Sequence, residues 1–421
     1  MIMTYQETLD FMYAQLPMYH RIGAAAYKAD IKPTIDMMTA LGNPEGKFRS
    51  IHVAGTNGKG SVSHFLASIL QEAGYKVGLY TSPHLVDFRE RIRINGEMIP
   101  KGGVVNFVAA NYQLLTTNSL SFFEMTVGMA FDYFAREQVD VAVVEVGMGG
   151  RLDSTNVIKP LLSVITNIGL DHTQFLGDTL EKIAGEKAGI IKEGVPVVIG
   201  ETQPETAPVF IRAAAERHAP VTFADSHYVV DDIGRYTDEL VGEYQKKNLA
   251  TVLEAVEVLR RTTDLDITPA VLKRGLARVV TNTHLHGRWQ KIGEDPVTIC
   301  ETAHNEPGVR AMLQGVDNTP HKALHVIYGC VNDKDYIHIL QLLNTELGMH
   351  NSSLTWYFSQ PSVPRGLPVE DLVEAASSVG IKGEGYKDVK QAIAIARKAA
   401  DKDDMVLVTG SIFLIADALA D

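Results

Sequence analysis

The stretch I-H-V-A-G-T-N-G-K-G-S-V-S-H-F, residues 51–65, constrains this chain more than any other. Ser50 to Ala54 reads as an apolar strand. Glycines follow at 55, 58 and 60, and Ser61 to Ala73 has helical apolar spacing closed by Gly74. A strand that passes into a helix through three glycines builds an anion cradle. Glycine lets backbone N–H groups turn inward and approach a ligand closely, and the helix N-terminus adds partial positive charge. Lys59 is placed to neutralise β- and γ-phosphate oxygens. The alternative is a plain turn with an incidental lysine, and a hydroxyl at Ser61 beside that lysine argues against it. The loop breaks the spacing G-x-x-x-x-G-K-[ST] twice: Val53 stands where glycine is required, and Gly60 follows the lysine.

The rest of the chain repeats the strand-then-helix alternation, which predicts layered α/β structure with parallel sheets. Lys76–Tyr80, Asp140–Val146, Leu161–Thr166 and Val195–Ile199 read as strands, and Thr179–Lys192 as a helix. The run D-V-A-V-V-E-V is continuously apolar, as expected of a central parallel strand. A second series has strands at Val297–Cys300, Ala323–Tyr328, Leu354–Phe358 and Met405–Val408. Its helices are at Tyr336–Leu347, Val369–Val379 and Val389–Ala400. With 421 residues, two domains are expected. The join falls in H-G-R-W-Q-K-I-G-E-D-P, giving domains 1–288 and 289–421.

Net charge is −12 with no basic stripe, so nucleic acid is excluded as a partner. Cys300 and Cys330 end apolar runs and read as buried free thiols. The N-terminus has no apolar signal segment and no run reaches membrane-span length, which predicts a cytoplasmic protein without membrane contact.

Several further residues fall at carboxyl ends of strands, where ligands of parallel sheets lie. Ser82, in T-S-P-H, follows the second strand; its plain reading is a capping serine. Glu145 ends the most apolar strand beside the cradle, the place of a Walker B carboxylate that holds Mg²⁺, and a buried carboxylate there requires a partner. His172, in G-L-D-H, ends another strand and is a candidate metal ligand. Lys187, in E-K-A-G-I-I-K, is by its residue type a helix lysine.

G-T-N-G-K-G-S resembles the shorter phosphate loop of the ATP-dependent Mur ligase superfamily, in its folylpolyglutamate synthase and dihydrofolate synthase branch. The resemblance implies an N-terminal P-loop parallel-sheet ATPase domain with a smaller C-terminal Rossmann-like α/β domain. It implies ATP contacts from Gly55, Thr56, Asn57, Gly58, Lys59, Gly60 and Ser61. It makes Ser82, Glu145 and His172 ligands of one or two Mg²⁺ ions, joined by Lys187 once carbamoylated. Val86 to Gly96 resembles the family's mobile loop at the pterin site. S-F-F-E-M-T brings Phe122 and Glu124 to the substrate, although both phenylalanines of that stretch also suit a core. R-L-D-S-T-N does the same for Asp153 and Asn156.

Y-Q-K-K-N-L-A resembles a Q-x-x-N-A stretch near adenine, with Leu249 in place of alanine, and implies roles for Gln245 and Asn248. H-G-R-W-Q resembles the interdomain P-G-R with His286 for proline, which implies that Arg288 reaches the nucleotide phosphates or the developing charge from the hinge. E-T-A-H-N-E resembles D-x-A-H-N-P with Glu301 for aspartate and Glu306 for proline; Glu301 is counted with the ATP contacts. His304 joins Lys59, Lys187 and Arg288 as catalytic. G-C-V-N-D-K-D resembles the family's G-x-x-x-D-K-D and implies that Lys334 meets an anionic substrate or phosphate. V-T-G-S resembles the family's T-G-S at the end of the last strand and implies a contact from Ser411 to the incoming glutamate.

The implied reaction phosphorylates a carboxylate, and an amine then displaces phosphate. By resemblance the acceptor is dihydropteroate or a reduced folate, the amine is L-glutamate, the second domain brings that amine, and the enzyme is a monomer. A plain nucleotide switch leaves the motifs after 301 unused. A ligase acting on a UDP-sugar would carry a uridine-binding domain before the loop, where only about fifty residues stand.

Overall fold

The structure, a computed structural model, describes residues 3–15, 30–117, 120–228, 239–240, 242–332, 335–351 and 353–420. The chain forms two compact units, Met1–Glu239 with Gln245–Leu285, and Leu240–Tyr244 with His286–Asp421.

The first unit is built on a sheet of β1 (Arg49–Ala54), β2 (Val77–Tyr80), β3 (Ile92–Ile94), β4 (Glu97–Met98), β5 (Val141–Glu145), β6 (Leu162–Ile165), β7 (Val197–Ile199) and β8 (Val221–Phe223). Their order is β4-β3-β2-β5-β1-β6-β7-β8. From β2 to β8 every pairing is parallel. β5 is buried at every position, which is why its sequence does not alternate. Helices supply the apolar surfaces this requires: Val127, Phe131 and Phe134 of one cluster lie in helix Phe122–Arg136, and Ile183 and Phe210 of another lie in helices Leu180–Ala188 and Ala207–Glu216. Parallel direction brings the ends of β1, β2, β5 and β6 to one edge, so the segments beginning at 55, 81, 146 and 166 gather there.

The expected loop at 86–96 is largely regular. Asp87 and Glu90 form a capping box on a short 3₁₀ turn, Phe88–Arg91. β3 then pairs antiparallel with β2 and with β4. Asn95 and Gly96 both take positive φ, 46° and 81°, as a two-residue Asn-Gly hairpin turn demands. Buried Ile92 and Ile94 fix the register.

The second unit's sheet is β9 (Gln290–Gly293), β10 (Val297–Cys300), β11 (Leu324–Tyr328), β12 (Leu354–Ser359), β13 (Gly383–Tyr386) and β14 (Met405–Thr409), in the order β13-β12-β11-β14-β10-β9. Only β9 is antiparallel to its neighbour. It has its own core around Trp289, Met312, Leu343, Trp356 and Leu407. Cys300 and Cys330 are buried and free. Among the described residues no helix is long and apolar enough to cross a membrane.

Candidate active site

The loop after β1 is held from its neighbour strand. Thr56 N–H donates to the Asn167 carbonyl at 2.9 Å, Asn57 N–H to Asn167 Oδ1 at 3.0 Å, and the Thr166 hydroxyl to the Asn57 carbonyl at 2.6 Å. The helix starts at Lys59, two residues earlier than its apolar spacing suggests, because Gly58 serves as N-cap at φ 83°. A Cβ on Gly58 would stand 2.2 Å from Asn248 Oδ1, so position 58 requires glycine for both conformation and space. Asn248 donates to Gln245 Oε1 at 2.8 Å, and Gln245 to Ser61 Oγ at 3.2 Å. Helix Glu243–Thr262 therefore lies against the loop at both candidate adenine-side residues. Leu249, the departure from alanine, is buried.

Gly55, Thr56, Lys59, Asp171, His172 and Lys187 line one cavity. Lys59 Nζ donates to the carbonyls of Gly55 and Thr56, both at 3.1 Å, and Lys187 Nζ to Gly55 at 2.8 Å. Burial, reinforced by Lys59, pushes Lys187 down to about 7, while Asp171 and Asp153 act in the other direction. Asp171 was not among the residues picked out in G-L-D-H; its Oδ1 accepts the His172 N–H at 2.9 Å and holds that residue's left-handed turn.

Glu145 is buried, and its Oε2 accepts the Ser82 N–H at 3.1 Å. A Cβ on Gly60 would lie 3.8 Å from Glu145 Oε1, which places this carboxylate beside the first turn of the loop helix. A hydroxyl and a carboxylate at adjoining strand ends form an oxygen-donor set that suits Mg²⁺. Among the described residues no group of three His, Cys, Asp or Glu side chains has metal-binding geometry.

Asp153 is buried as N-cap of a short turn; its Oδ2 accepts the Met148 N–H at 2.9 Å. Burial raises its carboxyl above the ordinary range, opposed by bonds from Thr155, Met148 and Gly147. The ring beside it is Phe123: a Cβ on Gly147 would meet Phe123 Cζ at 2.4 Å and Asp153 Oδ2 at 3.2 Å. Phe122 sits in the core, with Phe88 at 5.8 Å and the Arg91 guanidinium at 5.3 Å from its ring centre. Glu124 closes a capping box with Ser121 and is buried there. Asn156 donates to the carbonyls of Arg151 and Gly189, each at 3.1 Å, joining the loop after β5 to the end of a helix. Phe122 thus takes the core position its stretch also suited, and Glu124 and Asn156 have backbone roles that the motifs did not reveal.

In the second unit, Glu301 is buried at the end of β10. Its Oε2 accepts the Tyr244 hydroxyl and the Trp289 N–H, both at 2.8 Å. Burial raises its carboxyl, and Arg288 pulls it back. Arg288 donates to Thr302 Oγ1 and His304 Nδ1 faces the Thr302 carbonyl at 2.9 Å. Asn305 caps the following helix, and Glu306 turns outward to His338 and Arg310. Ser411 caps Ile412–Leu419. Arg365, absent from the motif reading, is buried with its guanidinium 5.1 Å over Phe413, whose N–H donates to Ser411 Oγ at 3.2 Å. Its signal was available: V-P-R-G-L-P follows a strand of the parallel set. Lys334 lies outside the described residues.

Residues 53–227 match the Mur ligase middle domain, and residues 287–412 the Mur ligase glutamate ligase domain. The chain is 35% identical to the folylpolyglutamate synthase of Lacticaseibacillus casei, covering 98% of this chain and 97% of that one. It is 34% identical to the dihydrofolate synthase/folylpolyglutamate synthase of Bacillus subtilis, covering 99% of each. Its fold is similar to Escherichia coli FolC in complex with DHPP and ADP, with TM-score 0.83, 28% identity, and coverage of 99% and 97%. A phosphate loop, a carboxylate at the next strand end and a separate glutamate-ligase unit are thus matched in order and over nearly full length: the chain belongs to the folylpolyglutamate synthase/dihydrofolate synthase family of Mur ligases.

Proposed function

We propose that this enzyme joins L-glutamate to the γ-carboxylate of a reduced folate and to the carboxylate of dihydropteroate, with ATP converted to ADP and phosphate. The observation that carries this reading is the cradle of residues 55–61, backed by two lysines and flanked by Glu145, in one chain with a glutamate-ligase domain.

A carboxylate cannot expel oxide, so the γ-phosphoryl group is first transferred to it. The amine of glutamate then attacks the acyl phosphate; the C–N bond forms, the C–O bond to phosphate breaks, and the ammonium proton is lost. Lys59 and the loop N–H groups hold the phosphates and spread the charge of transfer. Ser82, Glu145 and His172 would hold Mg²⁺, joined by Lys187 as its carbamate; when bound, the ion would screen the developing negative charge. Asp153 and Phe123 receive the pterin, a flat ring with N–H donors on its edge. In the second unit, Arg365 supplies a buried cation for a glutamate carboxylate, with Ser411 beside Phe413. Arg288 and His304 complete the set, and the enzyme acts as a cytoplasmic monomer.

Purified protein with ATP, Mg²⁺ and L-glutamate is expected to release phosphate only when dihydropteroate or tetrahydrofolate is added. Equal release without either acceptor would overturn the ligase reading, and comparing the two acceptors shows whether both reactions occur.

A further inference from the structure

His52 lies in β1 between β5 and β6, with no exposed surface. Its Nε2 is 2.9 Å from Thr155 Oγ1, and its Nδ1 has no hydrogen-bond partner among the described residues. Burial pushes the imidazole down to about 3, so the ring is neutral with a single N–H. The Thr155 hydroxyl donates to Asp153 Oδ1, an oxygen that also accepts the Thr155 N–H, and a hydroxyl has one proton to give. Thr155 Oγ1 must therefore accept from His52, which places the proton on Nε2 and leaves the lone pair on Nδ1. An unpartnered ring nitrogen in a central strand costs stability that leucine or valine would avoid. What the histidine supplies in return is a directed chain: His52 N–H to Thr155 O–H to Asp153.

We propose that His52 is a positioning residue for the acceptor, acting through Thr155 to hold the Asp153 carboxylate in the orientation that receives the N–H groups of the pterin ring. Asp153 Oδ1 is occupied by the Thr155 hydroxyl and by the Thr155 N–H at 2.9 Å. Oδ2 takes the Met148 N–H, the Gly147 N–H also supports the carboxylate, and Oδ2 lies on the Phe123 side, where a ring stacked on Phe123 would present its edge. Each donor in such a chain polarises the next, so the imidazole strengthens the Thr155 bond as well as directing it. The inference rests on the assignment of Asp153 to the acceptor.

Steady-state kinetics test it, with dihydropteroate and with tetrahydrofolate as acceptors. His52→Leu and Thr155→Val are each expected to raise the acceptor KM about tenfold, the size of one lost hydrogen bond, with the KM for ATP and for glutamate unchanged. His52→Gln and Thr155→Ser, which restore a donor and a hydroxyl, are expected to recover most of the loss. The double variant His52→Leu/Thr155→Val is expected to match the worse single one, because both break one chain. Equal changes in all three KM values, or unchanged acceptor KM in folded variants, overturn the positioning role. Asp153→Asn separates the two readings. If it raises the acceptor KM while the His52 and Thr155 variants do not, the chain is structural only; if it leaves the acceptor KM unchanged, the assignment of Asp153 falls and the inference with it. Should His52→Leu fail to fold, the Thr155→Val and Thr155→Ser pair decides alone.

Discussion

At the scale of single residues, burial decides which titratable groups carry charge. His52 gives this a pH signature. Its folded value of about 3 lies below the ordinary 6.5, so between those values the unfolded chain binds a proton that the folded chain does not. Stability therefore falls as pH drops through that window, by about 1.4 kcal/mol per unit from this group. Chemical denaturation at pH 6 and pH 4 is expected to show a shallower loss for His52→Gln than for the native protein. An identical slope would mean that the imidazole is hydrated or charged in the folded state. Lys187 shows the same force: desolvation, reinforced by the neighbouring Lys59 ammonium, moves it toward neutrality against the pull of Asp171 and Asp153. Neither fact is visible in sequence. His52 reads as one polar residue inside an apolar run, and the E-K-A-G-I-I-K lysine as a helix surface position.

Among the elements, the loop of residues 55–61 and the helix Glu243–Thr262 form one device, since Asn248 occupies the space a side chain at 58 would need. Gly58→Ala is expected to raise the KM for ATP at least tenfold. Gly58→Ala/Asn248→Ala is expected to recover only part of this, because alanine at φ 83° still costs about 1 kcal/mol. Full recovery would show that crowding alone matters. Element identity was readable where one signal dominated. β5 follows from its unbroken apolar run, and the loop from its glycines. The β3–β4 hairpin was missed although R-I-R-I-N-G-E-M contains both an alternating strand and an Asn-Gly turn. The family motif there suggested a loop and hid the local pattern. Phe122 and Phe123 show the opposite limit. Adjacent identical residues point in different directions on a helix, and only the packing against Phe88 and Arg91 on one side, and Gly147 on the other, tells which ring is available.

Across the whole molecule, each unit has its own sheet and core, and the chain passes between them by way of residues 240–244 and 286 onward. Within the second unit one carboxylate, Glu301, receives Tyr244 from the first of these segments and Trp289 from the other. Aspartate at 301 is one methylene shorter and cannot reach both donors. Tyr244→Phe and Glu301→Asp are each expected to lower the melting temperature by about 2–4 °C, as a loss near 1 kcal/mol would in a domain of this size. No shift in either variant would remove the fastening role. The glycines and proline of residues 286–296 suggest a domain join there, whereas the grouping of 240–244 with the second unit has no such signal, because it depends on a contact some sixty residues away along the chain. The two lysines on the Gly55 carbonyl bear on turnover as a cycle. Lys59 commits two of its donors and Lys187 one to these backbone oxygens, so an arriving anion competes with the loop's own carbonyls for the same head groups. A triphosphate reaches several donors at once and compensates; a lone inorganic phosphate does not. The resting loop thereby favours a ligand with several anionic groups over one that carries a single group.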